Sequence, residues 1–338
     1  MIKSPVIIVG CARSGSTLLY HILSEVDSLW SIGVESRPII EHYHHPSSRD
    51  WVSGELSAED LTAESRRYIL DTFESQAAPG SYWQGVHRLR ARLNRSPVYM
   101  SIKRRGQSSS VGSGASSKVP GGGLEFLRKY ARFRNWIGKR LSRSQKPIRL
   151  LDKSIEHCLR LPFIAALFPD AKVIFLVRDG RSNIYSMMEV WRQPHRFGGY
   201  NTPIPVTSPG QSRGRWIFPL IPGWRDLVDR PLEEICAQQW LVCNETVLEY
   251  CATPGSLPVL MVRYEDLIGN SDVTLDRIAD FLDLAPEDIP ARGSPLPNVN
   301  VISQPGTEKW RREEETIAGV MPILRPMMER LGYEEEVV

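Results

Sequence analysis

The 338-residue sequence has few cysteines and no long apolar run. Its five cysteines, an odd number, are scattered, and three of them (Cys236, Cys243 and Cys251) recur at near-helical spacing. This distribution does not fit a disulfide framework and predicts buried, reduced thiols. No apolar run reaches membrane-spanning length, and no signal peptide precedes the first predicted strand. These absences predict a cytoplasmic protein.

The sequence also has little excess of one charge, because its 42 Lys and Arg are nearly balanced by 39 Asp and Glu. The distribution is uneven: residues 88–149 hold seventeen Lys or Arg and one acid, Glu125. Within this block, the Ser- and Gly-rich residues 103–123 predict a flexible loop. A basic amphipathic helix predicted over 124–141 can contact an anionic membrane surface or an acidic substrate, or simply be solvated. We expect no nucleic-acid partner.

The cluster of His42, His44 and His45 lacks a Cys or acidic ligand at a suitable spacing, so it predicts a solvated loop and no metal site. Elsewhere, apolar runs alternate with amphipathic segments. This alternation predicts an α/β fold with a central parallel sheet and helices on both faces. The Gly- and Pro-rich residues 194–230, which carry aromatic side chains, predict a lid or an acceptor-site insertion.

Residues 5–18 carry the strongest functional signal. An apolar β-branched run, Val6–Val9, predicts a buried strand, Gly10 ends it, and a helical apolar face begins at Leu18. Strand, glycine loop and helix form the usual layout of a phosphate-binding site. The glycine spacing nearly matches the P-loop of nucleoside triphosphatases, but Ser16 is at the position where those enzymes have Lys. With Arg13 as the charge inside the loop, we expect a shorter anion than a triphosphate.

Three segments, in order, resemble the sulfotransferases that use 3′-phosphoadenosine 5′-phosphosulfate (PAPS). Cys-Ala-Arg-Ser-Gly-Ser-Thr-Leu-Leu at 11–19 resembles their 5′-phosphosulfate loop in its Arg-Ser-Gly version. Val-Ile-Phe-Leu-Val-Arg-Asp-Gly-Arg-Ser-Asn-Ile-Tyr-Ser at 173–186 resembles the 3′-phosphate motif, and Val-Arg-Tyr-Glu-Asp-Leu at 262–267 is a family landmark. The resemblance runs from residue 5 to about 285. It implies a P-loop-like three-layer fold and a single sulfotransferase domain over 1–338.

The resemblance also implies the activity: transfer of a sulfuryl group from PAPS to a hydroxyl acceptor by in-line displacement, with release of adenosine 3′,5′-bisphosphate and without a metal. Lys153 matches the family lysine near the bridging oxygen. The implied cofactor-binding residues are Arg13, Ser14, Gly15, Ser16, Thr17, Leu18, Arg178, Ser186, Tyr264, Lys309, Trp310 and Arg311. The last three replace a C-terminal family motif that this sequence lacks.

The general base is less directly indicated. Ile155 occupies the position where the cytosolic branch of the family has a His. Gly-Val-Glu-Ser-Arg at 33–37 resembles the Gly-Gly-Glu-Thr-Arg segment of the protein-tyrosine branch, which implies Glu35 as the base and Arg37 as the residue that orients it or the acceptor. A structural Glu35–Arg37 salt bridge and His157 as the base stay open as alternatives.

Two other functions also stay open. A P-loop kinase or nucleotidase would require the lysine that Ser16 replaces. A nucleotide-binding protein without catalysis could use the basic block to attach to membranes or polyanions. The acceptor (a glycan, a glycolipid, a small alcohol or a peptide tyrosine) is not specified by the sequence, although the basic block and the aromatic insertion favour an anionic or amphipathic molecule.

Overall fold

The computed structural model describes residues 2–33, 35–77, 149–193, 199–208, 214–293, 296 and 308–333. The predicted loop at 103–123 and the predicted basic helix at 124–141 lie outside these residues. The chain divides into two compact units, the first formed by Met1–Ile2 and Tyr68–Ile148 and the second by Lys3–Arg67 and Arg149–Val338. The single domain over 1–338 stays a prediction.

A five-stranded parallel sheet forms the centre of the second unit. The strands of the described residues are, in chain order, β1 (Val6–Val9), β2 (Trp30–Ser31), β3 (Leu150–Lys153), β4 (Lys172–Val177), β5 (Gly199–Tyr200), β6 (Trp216–Ile217) and β7 (Val259–Arg263). The sheet order is β2-β3-β1-β4-β7, and β5 and β6 form a separate antiparallel pair. Because β1 lies between β3 and β4 and all run parallel, their carboxyl ends meet at one edge.

Helices cover both faces of this sheet. The helices of the described residues, in chain order, are α1 (Ser16–Leu23), α2 (Arg37–His44), α3 (Ala63–Ala77), α4 (Leu161–Leu167), α5 (Gly180–Trp191), α6 (Leu232–Ala252), α7 (Tyr264–Gly269), α8 (Ser271–Phe281) and α9 (Glu314–Arg330). Val6 and Ile8 of β1 pack with residues of α1 and α8 in one core cluster. Ile7 and Val9 point to the opposite face, since side chains alternate along a strand, and are also fully buried. The predicted α/β fold with a parallel sheet between helices is confirmed.

The sequence pattern predicts one helix over residues 58–74 and another over 156–168, and both helices begin later in the structure. The pattern at 58–74 resolves into a 3-10 turn, Ala58–Asp60, and α3, whose first turn is held by the Ser65 N–H donating to Thr62 Oγ1. The pattern at 156–168 resolves into a 3-10 segment, Ile155–Leu159, and α4. Pro162 lies in the first turn of α4, where its missing N–H is tolerated, so the chain starts a new helix there.

Three further expectations need correction. The histidine cluster belongs largely to α2 rather than to a loop, and His44 is buried. Cys251 is exposed, although Cys11, Cys158, Cys236 and Cys243 are buried free thiols as predicted. A short helix, α7, separates β7 from α8 and was not predicted, because its six residues are too few to show a helical period.

The described part of residues 194–230 is ordered by its tryptophans. Trp216 and Trp224 are both 0% exposed. The ring of Trp216 lies 5.5 Å from that of Trp191 on α5 and 5.8 Å from that of Trp224, in edge-to-face contacts. These rings therefore belong to the core and do not form an open wall for an acceptor. The function of residues 194–230 as a lid or an acceptor-site insertion stays a prediction.

Within the described residues, no helix is both long enough and apolar enough to cross a bilayer. In the same part of the chain, no group of three His, Cys, Asp or Glu side chains is placed to hold a metal ion.

Candidate functional site

The loop between β1 and α1 is shaped by two glycines. A Cβ on Gly10 would lie 2.4 Å from the backbone oxygen of Leu176, so only glycine lets the loop approach β4 this closely. Gly15 has a φ of +99°, in the left-handed region that favours glycine. A Cβ at Gly15 would also lie 2.4 Å from Cδ2 of Tyr264. The loop is therefore held between the carboxyl ends of β4 and β7.

Polar groups without partners lie in this loop and at the start of α1. Gly15 is the N-cap of α1, and no side chain caps the helix, so its first N–H groups and its positive end are available to an anion. Ser14 is 1% exposed, and its buried hydroxyl has no hydrogen-bond partner among the described residues. The Leu18 N–H donates to the Gly15 backbone oxygen (2.8 Å), and the Leu18 side chain is in the core.

Arg13 and Arg178 lie together where β1 and β4 end. Arg13 Nε donates to Ser186 Oγ on α5 (3.1 Å), and Arg178 Nη1 donates to the backbone oxygen of Arg13 (3.0 Å). The Arg178 guanidinium also lies over the ring of Tyr264, 4.6 Å from its centroid. Two sequence segments more than 160 residues apart thus meet at one point. A salt bridge between Arg178 and its neighbour Asp179 is not formed, because Asp179 pairs with Arg181 and caps α5.

The electrostatics of this point favour an anion. Burial, and secondly the charge of Arg178, lowers the pKa of Arg13 to about 10. Burial likewise lowers the pKa of Lys309, with Arg178, Arg312 and Arg13 adding to the effect and Glu189 opposing it. The buried Nε of Arg178 has no partner among the described residues. Several cations gathered in a partly desolvated place cost free energy that a bound anion would recover.

The three C-terminal residues predicted to bind the cofactor, Lys309, Trp310 and Arg311, lie on one 3-10 segment, Lys309–Glu313, but their side chains have different surroundings. Lys309 is close enough to Arg13 and Arg178 for their charges to affect its pKa. Trp310 is 8% exposed, and the guanidiniums of Arg181 and Arg311 each lie 4.8 Å from the centroid of its ring. The structure therefore brings Lys309 near the place where Arg13 and Arg178 meet, while Trp310 stacks with Arg181 and Arg311.

Glu35 and Lys153 form an ion pair at the end of β3. Lys153 Nζ donates to Glu35 Oε1 at 2.5 Å. The lysine side chain is 7% exposed and the glutamate 38%, so the carboxylate faces the solvent side of the pair. Lys153 lies opposite Ile8 of β1 in the sheet, which puts the pair at the same edge as the loop that holds Arg13.

Arg37 does not pair with Glu35, contrary to one expectation. Arg37 Nε donates to Glu41 (3.0 Å) and its Nη1 to Glu156 (3.3 Å). Its guanidinium also lies over the ring of Tyr200, 4.2 Å from the centroid. Arg37 is thus held in a network of its own, and Glu35 is left to Lys153.

This network is buried and was not predicted. Glu41 accepts hydrogen bonds from Arg160 Nη2 (2.8 Å) and from the Tyr200 hydroxyl (2.6 Å), in addition to that from Arg37. Burial alone would raise the pKa of Glu41, but the charges of Arg160 and Arg37 lower it. No sequence pattern links these residues, since Arg160 follows Glu41 by 119 positions.

His157, the alternative base, lies inside the protein. Its ring is 0% exposed, and Nε2 is 2.9 Å from Asp152 Oδ2. Ser36 Oγ donates to the same oxygen at 2.7 Å. His157 is thus buried against Asp152, whereas the Glu35 side chain is 38% exposed, and the identity of the base stays a prediction. Ser36 and Asp152 were missed as site residues, and the only signal was their position beside Glu35 and Lys153.

Comparison with known proteins gives matches to one family. Residues 5–202 match the model of the sulfotransferase family. Protein-tyrosine sulfotransferase A of Caenorhabditis elegans is 23% identical over 206 residues, which span 54% of this chain and 46% of that protein. The chain thus matches less than half the length of that relative.

Two solved structures are also similar. Sulfotransferase STF9 from Mycobacterium avium is 13% identical over 99% of this chain and 79% of its own, with a TM-score of 0.48. The sulfotransferase domain from the curacin biosynthetic pathway is 16% identical over 98% and 99%, with a TM-score of 0.44. Since the family model covers more than half of the sequence and includes the loop, Glu35, Lys153 and Arg178, the chain belongs to the sulfotransferase family.

Proposed function

We propose that this protein transfers a sulfuryl group from PAPS to a hydroxyl acceptor and releases adenosine 3′,5′-bisphosphate. Family membership supports sulfuryl transfer in general. The observation that carries the finer proposal is the meeting of Arg13, Arg178 and Ser186 at the end of two adjacent strands, beside a loop with an unpartnered buried hydroxyl.

The binding groups fit a nucleotide with one phosphate at each end. The loop residues Ser14 to Leu18, with the N–H groups of the first turn of α1, would hold the 5′-phosphosulfate. Arg178 and Ser186, with Lys309 beside them, would hold the 3′-phosphate. Ser16 replaces the lysine with which a triphosphatase reaches the terminal phosphates, which disfavours ATP.

The reacting groups would come from the Glu35–Lys153 pair. In the proposed step the acceptor oxygen attacks sulfur, the bond from sulfur to the 5′-phosphate oxygen breaks, and the hydroxyl proton passes to Glu35. Lys153 and the loop would stabilise the negative charge that develops on the leaving phosphate. The protein would supply alignment and fixed positive charge, which are the main requirements of an analogous phosphoryl transfer. Guanidinium, ammonium and N–H groups supply that charge, so we propose that no metal takes part.

The nucleotide is tested by calorimetric titration of the full chain with adenosine 3′,5′-bisphosphate, with adenosine 5′-phosphate and with ATP. We expect the bisphosphate to bind more than tenfold more tightly than either of the others. Equal affinity for the bisphosphate and adenosine 5′-phosphate would contradict the proposed 3′-phosphate site. A preference for ATP would favour a P-loop kinase instead.

The reaction is tested with sulfur-labelled PAPS and a panel of acceptors: a glycan, a glycolipid, a small alcohol and a tyrosine peptide. We expect label in one of these classes. Anionic and amphipathic members of the panel are the proposed acceptors, and adding anionic vesicles tests the proposed contact with a membrane surface. Bisphosphate binding without label in any class would instead indicate a nucleotide-binding protein without transfer. The cytoplasmic location also stays a proposal.

A further inference from the structure

We infer that Asp152 and His157 are positioning residues that, through Ser36, hold the Glu35–Lys153 pair in its reactive arrangement. The inference rests on the proposed function, because it assigns a role in the transfer step. It concerns residues that touch neither nucleotide nor acceptor and act through their neighbours.

A single carboxylate connects the two halves of the pair. Asp152 Oδ2 accepts from the Ser36 hydroxyl (2.7 Å) and from His157 Nε2 (2.9 Å), and Oδ1 accepts from the backbone N–H of Lys153 (2.8 Å). Ser36 follows Glu35 in the chain and Asp152 precedes Lys153. One buried group therefore contacts the side chain next to the proposed base and the backbone N–H of the proposed cation, two residues that are 118 positions apart.

The burial of the three side chains makes this connection specific. Ser36 and His157 are 0% exposed and Asp152 is 1% exposed. A buried carboxylate must be matched by donors, and here both oxygens have them. Because a carboxylate can only accept, Nε2 carries a hydrogen and donates it to Asp152.

The Ser36 hydroxyl bonds to Asp152 and does not cap its own helix. Ser36 is the N-cap residue of α2, where a serine hydroxyl commonly accepts a hydrogen bond from an N–H of the first turn, but its side chain makes no such cap. The hydroxyl instead donates to Asp152, on the neighbouring strand β3. The contact thus ties the start of α2 to β3 rather than stabilising its own helix.

The test uses four single variants of the full chain. Ser36→Ala removes the hydroxyl, His157→Leu removes the ring donor, and His157→Gln restores a donor near the position of Nε2. Ser65→Ala, at an equally buried serine of α3, is the matched control. For each we would measure kcat and KM of sulfuryl transfer, the Kd of adenosine 3′,5′-bisphosphate, and the exchange rates of the Glu35 and Ser36 amide hydrogens.

For Ser36→Ala and His157→Leu we expect kcat to fall at least tenfold while the Kd stays within twofold and amide exchange at Glu35 becomes faster. His157→Gln should recover most of kcat, and Ser65→Ala should match the wild type. Wild-type kcat in Ser36→Ala, or an equal loss of kcat and nucleotide affinity in both variants, would overturn the inference. If His157→Leu fails to fold, the kcat and amide-exchange values of Ser36→Ala and His157→Gln test the inference.

Failure of the proposed function is distinguishable. If the wild type transfers no label, the proposed function fails, and the exchange measurement still decides whether Asp152 and His157 hold the Glu35 backbone. If the wild type transfers label and exchange at Glu35 is unchanged in Ser36→Ala, the positioning inference alone is wrong.

Discussion

Replacement of Arg178 by alanine should weaken the binding of adenosine 3′,5′-bisphosphate by about 10-fold to 150-fold. The guanidinium lies between the Arg13 backbone and the Tyr264 ring, and its buried Nε has no partner among the described residues. A hydrogen bond to a charged group is worth about 1.5–3 kcal/mol. Since about 1.4 kcal/mol corresponds to a factor of ten in Kd, loss of this contact gives the stated range.

Arg178→Ala should change the free energy of unfolding of the nucleotide-free protein much less. Arg178 is one of the two main causes that lower the pKa of Arg13, so its removal relieves a repulsion while it deletes one hydrogen bond. These effects oppose each other. With ligand at 100 times the wild-type Kd, the wild type gains about 2.7 kcal/mol of stability, and a variant with 100-fold weaker binding gains only about 0.4 kcal/mol.

Thermal unfolding with and without the bisphosphate, beside calorimetric titration, measures both effects. Arg292→Ala is the matched control, because Arg292 forms a largely exposed ion pair with Asp276. We expect the control to bind the nucleotide as the wild type does. Wild-type affinity and a wild-type ligand-induced stabilisation in Arg178→Ala would refute the assignment of Arg178 to the 3′-phosphate.

Three other predictions concern the loop, the base and the response to acid. Gly15→Ala should destabilise the fold more than Gly223→Ala, because both residues have positive φ but only Gly15 has a neighbour, Tyr264, where the Cβ would lie; equal losses in urea unfolding would contradict this. Glu35→Gln should lower turnover by about 10²-fold or more and leave bisphosphate affinity within threefold, and wild-type turnover would exclude Glu35 as the base. Burial lowers the pKa of His44 below 6.5, so the unfolded chain binds more protons as the pH falls and stability should decrease through that range. His44→Leu should flatten the dependence of the unfolding free energy on pH between about 5 and 7.5, and an unchanged slope would show that other groups cause it.

Local features of the fold were predictable because they depend on neighbouring residues. The apolar run Val6–Val9 became β1 with the predicted bounds, and the first helix buried its predicted apolar face. Helix starts were less predictable. Thr62 and Pro162 decide where α3 and α4 begin, and their effect depends on competition between short turns rather than on apolar period.

The burial of the tryptophans at 216 and 224 could not be predicted, since an aromatic residue in a Gly- and Pro-rich segment suits a core or an exposed wall equally well. The decision came from contact with Trp191, which belongs to another element. The partners of Arg37 could not be predicted for a related reason. Glu35 is nearer in sequence, but Glu41 and Glu156 are the carboxylates that its side chain reaches.

By itself, the sequence determined the chemical inventory: a glycine loop without the triphosphatase lysine, an arginine at a strand end, and a glutamate and a lysine at two others. Only the tertiary structure decided which of these groups meet. Arg13 reaches Ser186, and Ser36 reaches Asp152, across 173 and 116 positions. The physical reason is the sheet order, which puts β3 and β4 on either side of β1, because such long-range strand pairing leaves no mark in the spacing of neighbouring residues.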